Sequence, residues 1–438
     1  MKRFHKYILG ASLLSIALVS TSCEDETEPT HFATQDQASA SSAATRALVY
    51  AMPAYFNHID ESRIDEKSWH GAFGYGAMMI IRDLQTGDRS IGTKYNGHFK
   101  NYACDQYMGK RYIYASYPWS YYYGFILTTN KVIAAIDLNN CTDDQKGYYG
   151  IASAFRAFCY LDLARTYEFL DNKKVKSVNE NGKDVAGLTV PIVTDAISEN
   201  DARNNPRATR ADMAKFIEND LNKAEEYIKY STEDTNILPD LACVYGLKAR
   251  LYMWLEDYTN AAKYAKLAFK TTSSKPMTES DCLDAQKGFN DLSKWMWGAK
   301  QTSEDDAVKT GIVNWTSWAC NETTFGYAGV GAYNLIDAKL YSQIDDKDFR
   351  KKEFIGPKGP SKDQKILTKL QQAYASIKFR PNEGNADSYQ TGAASAYPIM
   401  RIEEMYFIWA EAEAHLDAAK GKEDLIEVEG KVLDNLPQ

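Results

Sequence analysis

Residues 397–414, YPIMRIEEMYFIWAEAEA, form the most informative stretch of this 438-residue chain. A proline and an arginine precede two glutamates, and an alanine-rich run with aromatic residues follows. Apolar side chains recur here at intervals of three and four residues, which is the spacing of a helix that packs through one face. That face carries Met405, Ile408, Trp409, Ala412 and Leu416. The pattern predicts an α-helix that lies against other helices.

The N-terminus has the pattern of an export signal. Basic residues precede an uncharged apolar run at 7–19, and small residues then lead to Cys23. The run is shorter than the roughly 20 apolar residues that cross a bilayer, and no later segment is as apolar. We therefore predict a signal peptide at 1–22 and a flexible tether at 23–44, which is rich in Ser, Ala, Thr and acidic residues.

Charge limits the classes of partner. The chain has 51 basic and 59 acidic residues, a net charge of −8, and loss of the three basic residues of the signal would bring it to about −11. An acidic surface argues against nucleic acid or an anionic membrane as the main partner.

Six cysteines remain beyond Cys23, and six thiols can pair in about 15 ways. Cys159 and Cys243 fall in apolar helical runs, where cysteine behaves as a small buried hydrophobe. Cys282 and Cys320 lie in loop-like sequence, where a disulfide is possible in an oxidising compartment. We assign no disulfide.

From residue 45 to about 272 the apolar period is that of helices. The clearest pair consists of a helix at about 241–255 and a second at 259–270, with Ala and Tyr at the small-and-aromatic positions of a tetratricopeptide repeat. One such pair cannot bury its own apolar face, so further pairs must stack on it. Thr209 is placed to cap a helix, and Asp220, which interrupts that helix's apolar stripe, is interpreted as structural.

Several segments occur in an order that resembles one protein family. They are 73–88 with FGYG, the aromatic entry 119–133, the apolar helix 148–169 followed by the extended GLTVPIV at 187–193, the capped helix 205–221, and 397–414. Together they resemble the SusD/RagB-type lipoproteins, nutrient-binding partners of TonB-dependent transporters in the outer membrane of Bacteroidetes. The resemblance extends from the signal peptide to residue 416.

This resemblance implies a mostly α fold. A stack of tetratricopeptide-like helix pairs would occupy 45–275, an irregular, loop-rich region carrying much of the ligand face would occupy 276–395, and the signature helix with a charged C-terminal tail would occupy 396–438. Relatives usually continue for several dozen residues beyond this helix, so we expect either a naturally short protein or a truncated sequence.

The resemblance also implies a location and a function. Cys23 follows Ser-Thr-Ser, which resembles a lipobox with Ser20 in place of the usual aliphatic residue and predicts lipidation; the alternative is an ordinary secretory signal cleaved nearby. The acidic cluster 24–26 resembles the signal for export to the outer surface, with a solvated tether as the alternative. The predicted function is to bind oligosaccharide and deliver it to a TonB-dependent, SusC-like transporter. A peptide ligand within the same architecture is one alternative, and a helical-repeat scaffold for protein partners is another.

Candidate ligand residues follow from the chemistry of sugars. A sugar ring stacks its C–H face on an aromatic plane while polar side chains bond its hydroxyls. Trp315 and Trp318, set among Asn, Thr and Ser, fit that composition, and Trp295 and Trp297 fit it less well because their neighbours resemble a strand or core. The alternative is that all four fill a small core.

A second candidate cluster rests on the family resemblance alone, since the matching N-terminal loops of relatives line the same face. It consists of Trp69, Tyr75, Arg82, Asp83 and Asp88. The alternative for Arg82 and Asp83 is a structural ion pair.

We predict no enzymatic activity, cofactor or metal site. Glu404, Glu411 and His415 share one flank of the signature helix, but the two glutamates are about 10 Å apart along the axis, more than a glycosidase pair requires. No metalloprotease, nucleophile-elbow or phosphate-loop motif occurs. The acidic run at 345–348 lacks the glycine and distal glutamate of a calcium loop and is interpreted as a solvated turn.

Overall fold

Helices dominate the structure. The structure, a computed structural model, describes residues 41–59, 69–86, 88–91 and 112–433. The helices up to residue 271 are, in chain order, α1 (Ser42–Tyr55), α2 (Tyr75–Thr86), α3 (Ile113–Ala134), α4 (Asp143–Tyr167), α5 (Glu199–Arg203), α6 (Arg210–Tyr227), α7 (Leu241–Trp254) and α8 (Tyr258–Thr271). The signal peptide, Cys23 and the tether up to residue 40 lie outside the described residues.

Helices that are near neighbours in sequence pack on each other, as a stack of pairs requires. α3 packs on α4, α4 on α6, and α7 on α8. The pair predicted at 241–270 is confirmed by α7 and α8. α4 lies in the middle and is buried on all sides along most of its length, which its apolar sequence predicted.

A buried ion pair holds the centre of the stack. Arg156 of α4 donates from Nε to Oδ2 of Asp220 in α6 over 2.7 Å, and both side chains are shielded from water. Arg156 also donates to Oδ1 of Asn130, whose amide donates to the carbonyl of Val193. The structural role predicted for Asp220 is confirmed. Thr209 caps α6 as predicted, since its hydroxyl accepts from the Asp212 amide.

The region after α8 is irregular, as predicted. Its strands take part in two small antiparallel sheets. Asn334–Ile336 (β3) pairs with Arg89–Ile91 (β1), which lies earlier in the chain, and Trp297–Lys300 (β2) pairs with Ala396–Met400 (β4). The short helices are α9 (Glu279–Cys282), α10 (Asp306–Lys309), α11 (Trp315–Ala319), α12 (Gly326–Gly329), α13 (Ala338–Gln343) and α14 (Tyr389–Gly392). Cys282 and Cys320 are both buried and free, so the disulfide considered possible between them is not formed.

The signature stretch is a strand followed by a helix. Its first residues lie in β4, and α15 (Ile402–Leu416) packs on α8 and on the final helix, α16 (Ala418–Leu433). Met405, Trp409 and Ala412 are buried as predicted, whereas Leu416 is 52% exposed because it stands at the end of α15. The segment predicted as a charged tail is largely this last helix.

One hydrophobic cluster joins the helical stack to part of the loop-rich region, from Val49 of α1 through Trp297 of β2 to Val428 of α16. The strand β2 therefore fastens the loop-rich region to the stack. No helix in the described part of the chain is both long and apolar enough to cross a membrane.

Candidate functional site

Helix α2 separates two depressions on the surface. The backbone just before this helix lies close to the backbone of Phe56. Gly74 has a φ of +86°, and a Cβ there would lie 2.0 Å from the carbonyl oxygen of Phe56. The Gly74 amide donates to the Tyr117 hydroxyl over 2.7 Å. The start of α2 is thus held by backbone contacts, and the helix presents Arg82 to one depression and Asp83 to the other.

The first depression, here called the junction cleft, lies where the end of α2 meets the loop-rich region. Pairing of β1 with β3 brings the two together, with Arg89 opposite Ile336. The cleft has a volume of about 260 Å³. Its polar and aromatic lining includes Asp83, Asp88, Arg89, Asn334, Lys378 and Phe379.

Charges of both signs meet in the junction cleft. Burial raises the pKa of Asp83 above its ordinary value, although Arg89 and Lys378 act in the opposite direction. Burial lowers the pKa of Arg89 to about 10, and its guanidinium donates to the carbonyl of Trp318 over 2.5 Å. The cleft therefore offers both hydrogen-bond acceptors and donors that a polar ligand can use.

Aromatic surface lies beside these charges. Phe379 is half-buried and meets Trp315 edge-on, with ring centroids 5.1 Å apart. Phe354, also half-buried, lines the same cleft. A partly exposed aromatic ring next to charged and amide groups is the combination that holds a sugar ring.

The second depression, here called the helix-end groove, lies on the other side of α2. Its volume is about 690 Å³, and the ends of α4 and α7 form its floor. Arg82 lines it and donates to Oδ2 of Asp162 over 3.0 Å. Arg82 is thus paired with Asp162, and not with its sequence neighbour Asp83.

The four predicted tryptophans lie in the core. Trp295 and Trp297 are inaccessible to water, and Trp315 and Trp318 are at most 3% exposed. Trp297 packs against Phe155 and Phe158 at the centre of the stack. This corrects the prediction of a stacking surface at these rings, because a sugar can stack only on a ring face that water reaches. Trp315 contributes to the floor of the junction cleft.

The N-terminal cluster is divided by α2. Asp83 and Asp88 lie at the junction cleft, whereas Tyr75 is buried behind Arg82 and within 3.5 Å of its guanidinium. Trp69 begins a short 3₁₀ helix, and its side chain lies outside the described residues. The structure therefore brings together only Asp83, Asp88 and Trp315 of the predicted site residues.

Arg89, Asn334, Lys378 and Phe379 were missed at the sequence level. They come from three segments of the chain, and the pairing of β1 with β3 and the bridge between Leu335 and Ala375 bring these segments together. No local motif marks them.

Of the side chains considered for catalysis, Glu404 and His415 contact other residues, and Glu411 is exposed. Glu404 accepts from Nε of Arg250 over 2.6 Å, and the His415 ring stacks on Tyr258 at 3.9 Å. In the acidic turn, Asp348 pairs with Arg350. Within the described ranges no three His, Cys, Asp or Glu side chains form a group that could hold a metal ion.

Comparison with known proteins gives matches in sequence and in structure. Residues 80–253 match a SusD-like family described as "Starch-binding associating with outer membrane". A search of curated proteins finds no match.

Solved structures with a similar fold come from Bacteroides and Parabacteroides species. A SusD-like carbohydrate binding protein from Bacteroides vulgatus has a TM-score of 0.68 at 21% identity, with 91% of this chain and 76% of that chain covered. A SusD superfamily protein from Bacteroides vulgatus has a TM-score of 0.64 at 18% identity, covering 91% and 82%. One from Parabacteroides distasonis has a TM-score of 0.63 at 16% identity, covering 91% and 81%. The mostly helical fold predicted from the sequence is confirmed.

Proposed function

We propose that this chain, which matches a SusD-like family over residues 80–253 and has the fold of SusD-like proteins, binds oligosaccharide at the cell surface and delivers it to a TonB-dependent, SusC-like transporter. Lipid on Cys23 would anchor it to the outer membrane, facing the exterior. The chain itself breaks no bond: it captures the ligand and passes it on.

The observation that carries this proposal is the composition of the junction cleft. Half-buried Phe379 and Phe354 supply apolar ring surface, while Asp83, Lys378 and Asn334 supply acceptors and donors for hydroxyl groups. A volume of about 260 Å³ suits a short part of a glycan, with the remainder of the chain in solvent. The description of the matching family as starch-binding supports the same class of ligand.

Replacing Asp83 by alanine is expected to weaken glycan binding about tenfold, because a hydrogen bond to a charged group contributes about 1.5 to 3 kcal/mol. The walls of the cleft shield the Asp83 carboxylate in part, but the residue as a whole is exposed near the end of α2, so its removal should leave the fold intact. The measurement is calorimetric titration against a panel of plant, host and microbial oligosaccharides.

The matched control is Asp363→Ala, which removes an exposed carboxylate that does not line the cleft. Affinity should change less than twofold in this control. Saturable binding of peptides with no response to any saccharide would contradict the glycan proposal and favour the peptide alternative.

Delivery requires a partner in the membrane. Affinity purification of the tagged protein from solubilised outer membranes is expected to recover a TonB-dependent barrel in stoichiometric amount. Recovery of soluble partners alone would argue for the scaffold function instead.

A further inference from the structure

The helix-end groove differs from the junction cleft in its charge. Two acidic residues line it, Asp162 and Glu168. Their side chains are largely buried, with 11% and 4% exposed. Arg82 is 42% exposed, and Arg165 is also exposed. The surface that a ligand meets in this groove is therefore cationic, although the protein as a whole is acidic.

The negative groups of the groove are already paired. Asp162 accepts from the hydroxyl of Tyr122 over 2.6 Å as well as from Arg82. Burial alone would raise its pKa, but Arg82, the Tyr122 hydrogen bond and Arg165 outweigh burial and hold the pKa below its ordinary value. Asp162 is therefore a carboxylate at neutral pH and fixes the position of Arg82.

The other negative groups, at the helix ends, are paired as well. Glu168 accepts from the indole N–H of Trp254 over 2.7 Å and pairs with Arg210 at 3.4 Å. The carbonyl of Tyr167 at the end of α4 accepts from Arg207 over 2.7 Å. These contacts offset the negative charge at the C-terminal end of a helix, which would otherwise repel an anion.

Arg165 is the second arginine that lines the groove. It lines the groove one turn from Asp162 and acts on the Asp162 carboxylate electrostatically. In the part of the chain that the structure describes, its guanidinium has no hydrogen-bond partner. A planar guanidinium with free donors matches the geometry of a carboxylate or a sulfate.

Aromatic surface completes the groove. Tyr167 and Trp254 are both half-buried and lie beside these arginines. A volume of about 690 Å³ is within the range of small-molecule sites, about 300 to 1,000 Å³. Ring surface next to a free cation suits a sugar unit that carries an acidic group.

We propose that the helix-end groove is a second saccharide site, which binds an anionic sugar unit through Arg165 and Arg82 and stacks it against Tyr167 or Trp254. This inference rests on the proposed glycan-binding function and names a class of glycan, one that contains uronic acid or sulfated units. The anion's oxygens accept from the two guanidiniums, while Asp162 keeps Arg82 in place.

Arg165→Gln tests the proposal, with three saccharide probes of matched length titrated against the full chain by calorimetry. The probes are an oligogalacturonide, a chondroitin sulfate oligosaccharide and a neutral maltooligosaccharide, so that carboxylate and sulfate are distinguished. The wild type is expected to bind at least one acidic probe. This binding should weaken as the salt concentration is raised, because salt screens the charges. Arg165→Gln should weaken that binding about tenfold or more and leave neutral binding within about twofold.

Arg203→Gln is the matched control, because Arg203 is an arginine of α5 whose side chain is 74% exposed and lies outside the groove. It removes the same charge and should change acidic binding by less than about twofold. Equal weakening by both variants would overturn the proposal, since the effect would then come from net charge.

Failure of this proposal is separable from failure of the proposed function. Binding of the neutral probe alone, or acidic binding unchanged by Arg165→Gln, overturns the anionic site and leaves glycan binding standing. Binding of acidic peptides with no response to any saccharide overturns both. A thermal unfolding measurement checks that Arg165→Gln is folded. The variant is expected to unfold at the same temperature as the wild type, because the Arg165 side chain is exposed.

Discussion

Replacing Asp220 by alanine is expected to lower the free energy of unfolding by about 3 to 5 kcal/mol, the cost of removing one partner of a buried ion pair. Asp220 accepts two hydrogen bonds from Arg156, from Nε over 2.7 Å and from Nη2 over 2.8 Å. Neither side chain is more than 3% exposed, so water cannot replace the lost carboxylate. The measurement is equilibrium unfolding in urea, followed by circular dichroism.

The effect should extend beyond one helix pair. Arg156 also donates to Asn130 of α3 and to Oδ1 of Asp195 over 3.0 Å, so its guanidinium joins α3, α4, α6 and the segment after the extended GLTVPIV stretch. Without Asp220 the guanidinium keeps only these two partners.

A surface ion pair serves as the control. Glu199 and Arg203 of α5 form an i,i+4 pair with side chains that are 81% and 74% exposed. Glu199→Ala should change the free energy of unfolding by no more than about 0.5 kcal/mol, as exposed pairs contribute little. A loss of less than about 1 kcal/mol in Asp220→Ala would show that the buried pair does not hold the stack together.

Replacing Gly150 by alanine is expected to destabilise the protein by about 1 to 3 kcal/mol, although alanine is the better helix former. Gly150 lies inside α4, where a Cβ would stand 2.5 Å from the amide nitrogen of Ile228 and 2.9 Å from its Cα. Both are backbone atoms, so the clash cannot be relieved by a side-chain rotation. α4 would have to move away from the chain at the end of α6.

Gly430→Ala is the control, because it is the same substitution at a helix position where a Cβ meets no other atom. Gly430 lies in α16, and nothing is within 4 Å of the position its Cβ would take. Here alanine should stabilise the protein by up to about 1 kcal/mol through its helix propensity. The two substitutions thus have opposite expected signs in the same urea titration, and a change of the same sign in both would contradict the close approach of α4 to Ile228.

The helical elements were predictable because their signals are local. The pair α7 and α8 follows from apolar spacing over a few turns, and Thr209 caps α6 through a contact three residues away. The place of 397–400 in a strand was not predictable, since β4 depends on its pairing with β2 about 100 positions earlier. Periodicity reports which face of an element is apolar, and it does not report which element covers that face.

The tryptophans show the same difference at the candidate site. Trp315 and Trp318 stand among Asn, Thr and Ser in the sequence, a composition typical of an exposed ligand loop. In the fold these small polar residues are themselves buried, and the Thr316 hydroxyl, for example, lies 2.6 Å from that of Ser395. Their hydrogen-bond partners come from distant segments, as when the Asn321 amide donates to the carbonyls of Asn334 and Ser376, and composition alone does not reveal such partners.

The sequence by itself predicted the family resemblance and the helical stack, because the signature 397–414 and the apolar spacing each depend on residues that are close together in the chain. Only the tertiary structure decided which side chains line the two depressions. The junction cleft needs β1 beside β3, and the helix-end groove needs α2 beside the ends of α4 and α7. Which charged side chains pair is likewise a tertiary property: Arg82 pairs with Asp162, 80 positions away, while Arg165, on the same helix as Asp162, has an exposed side chain.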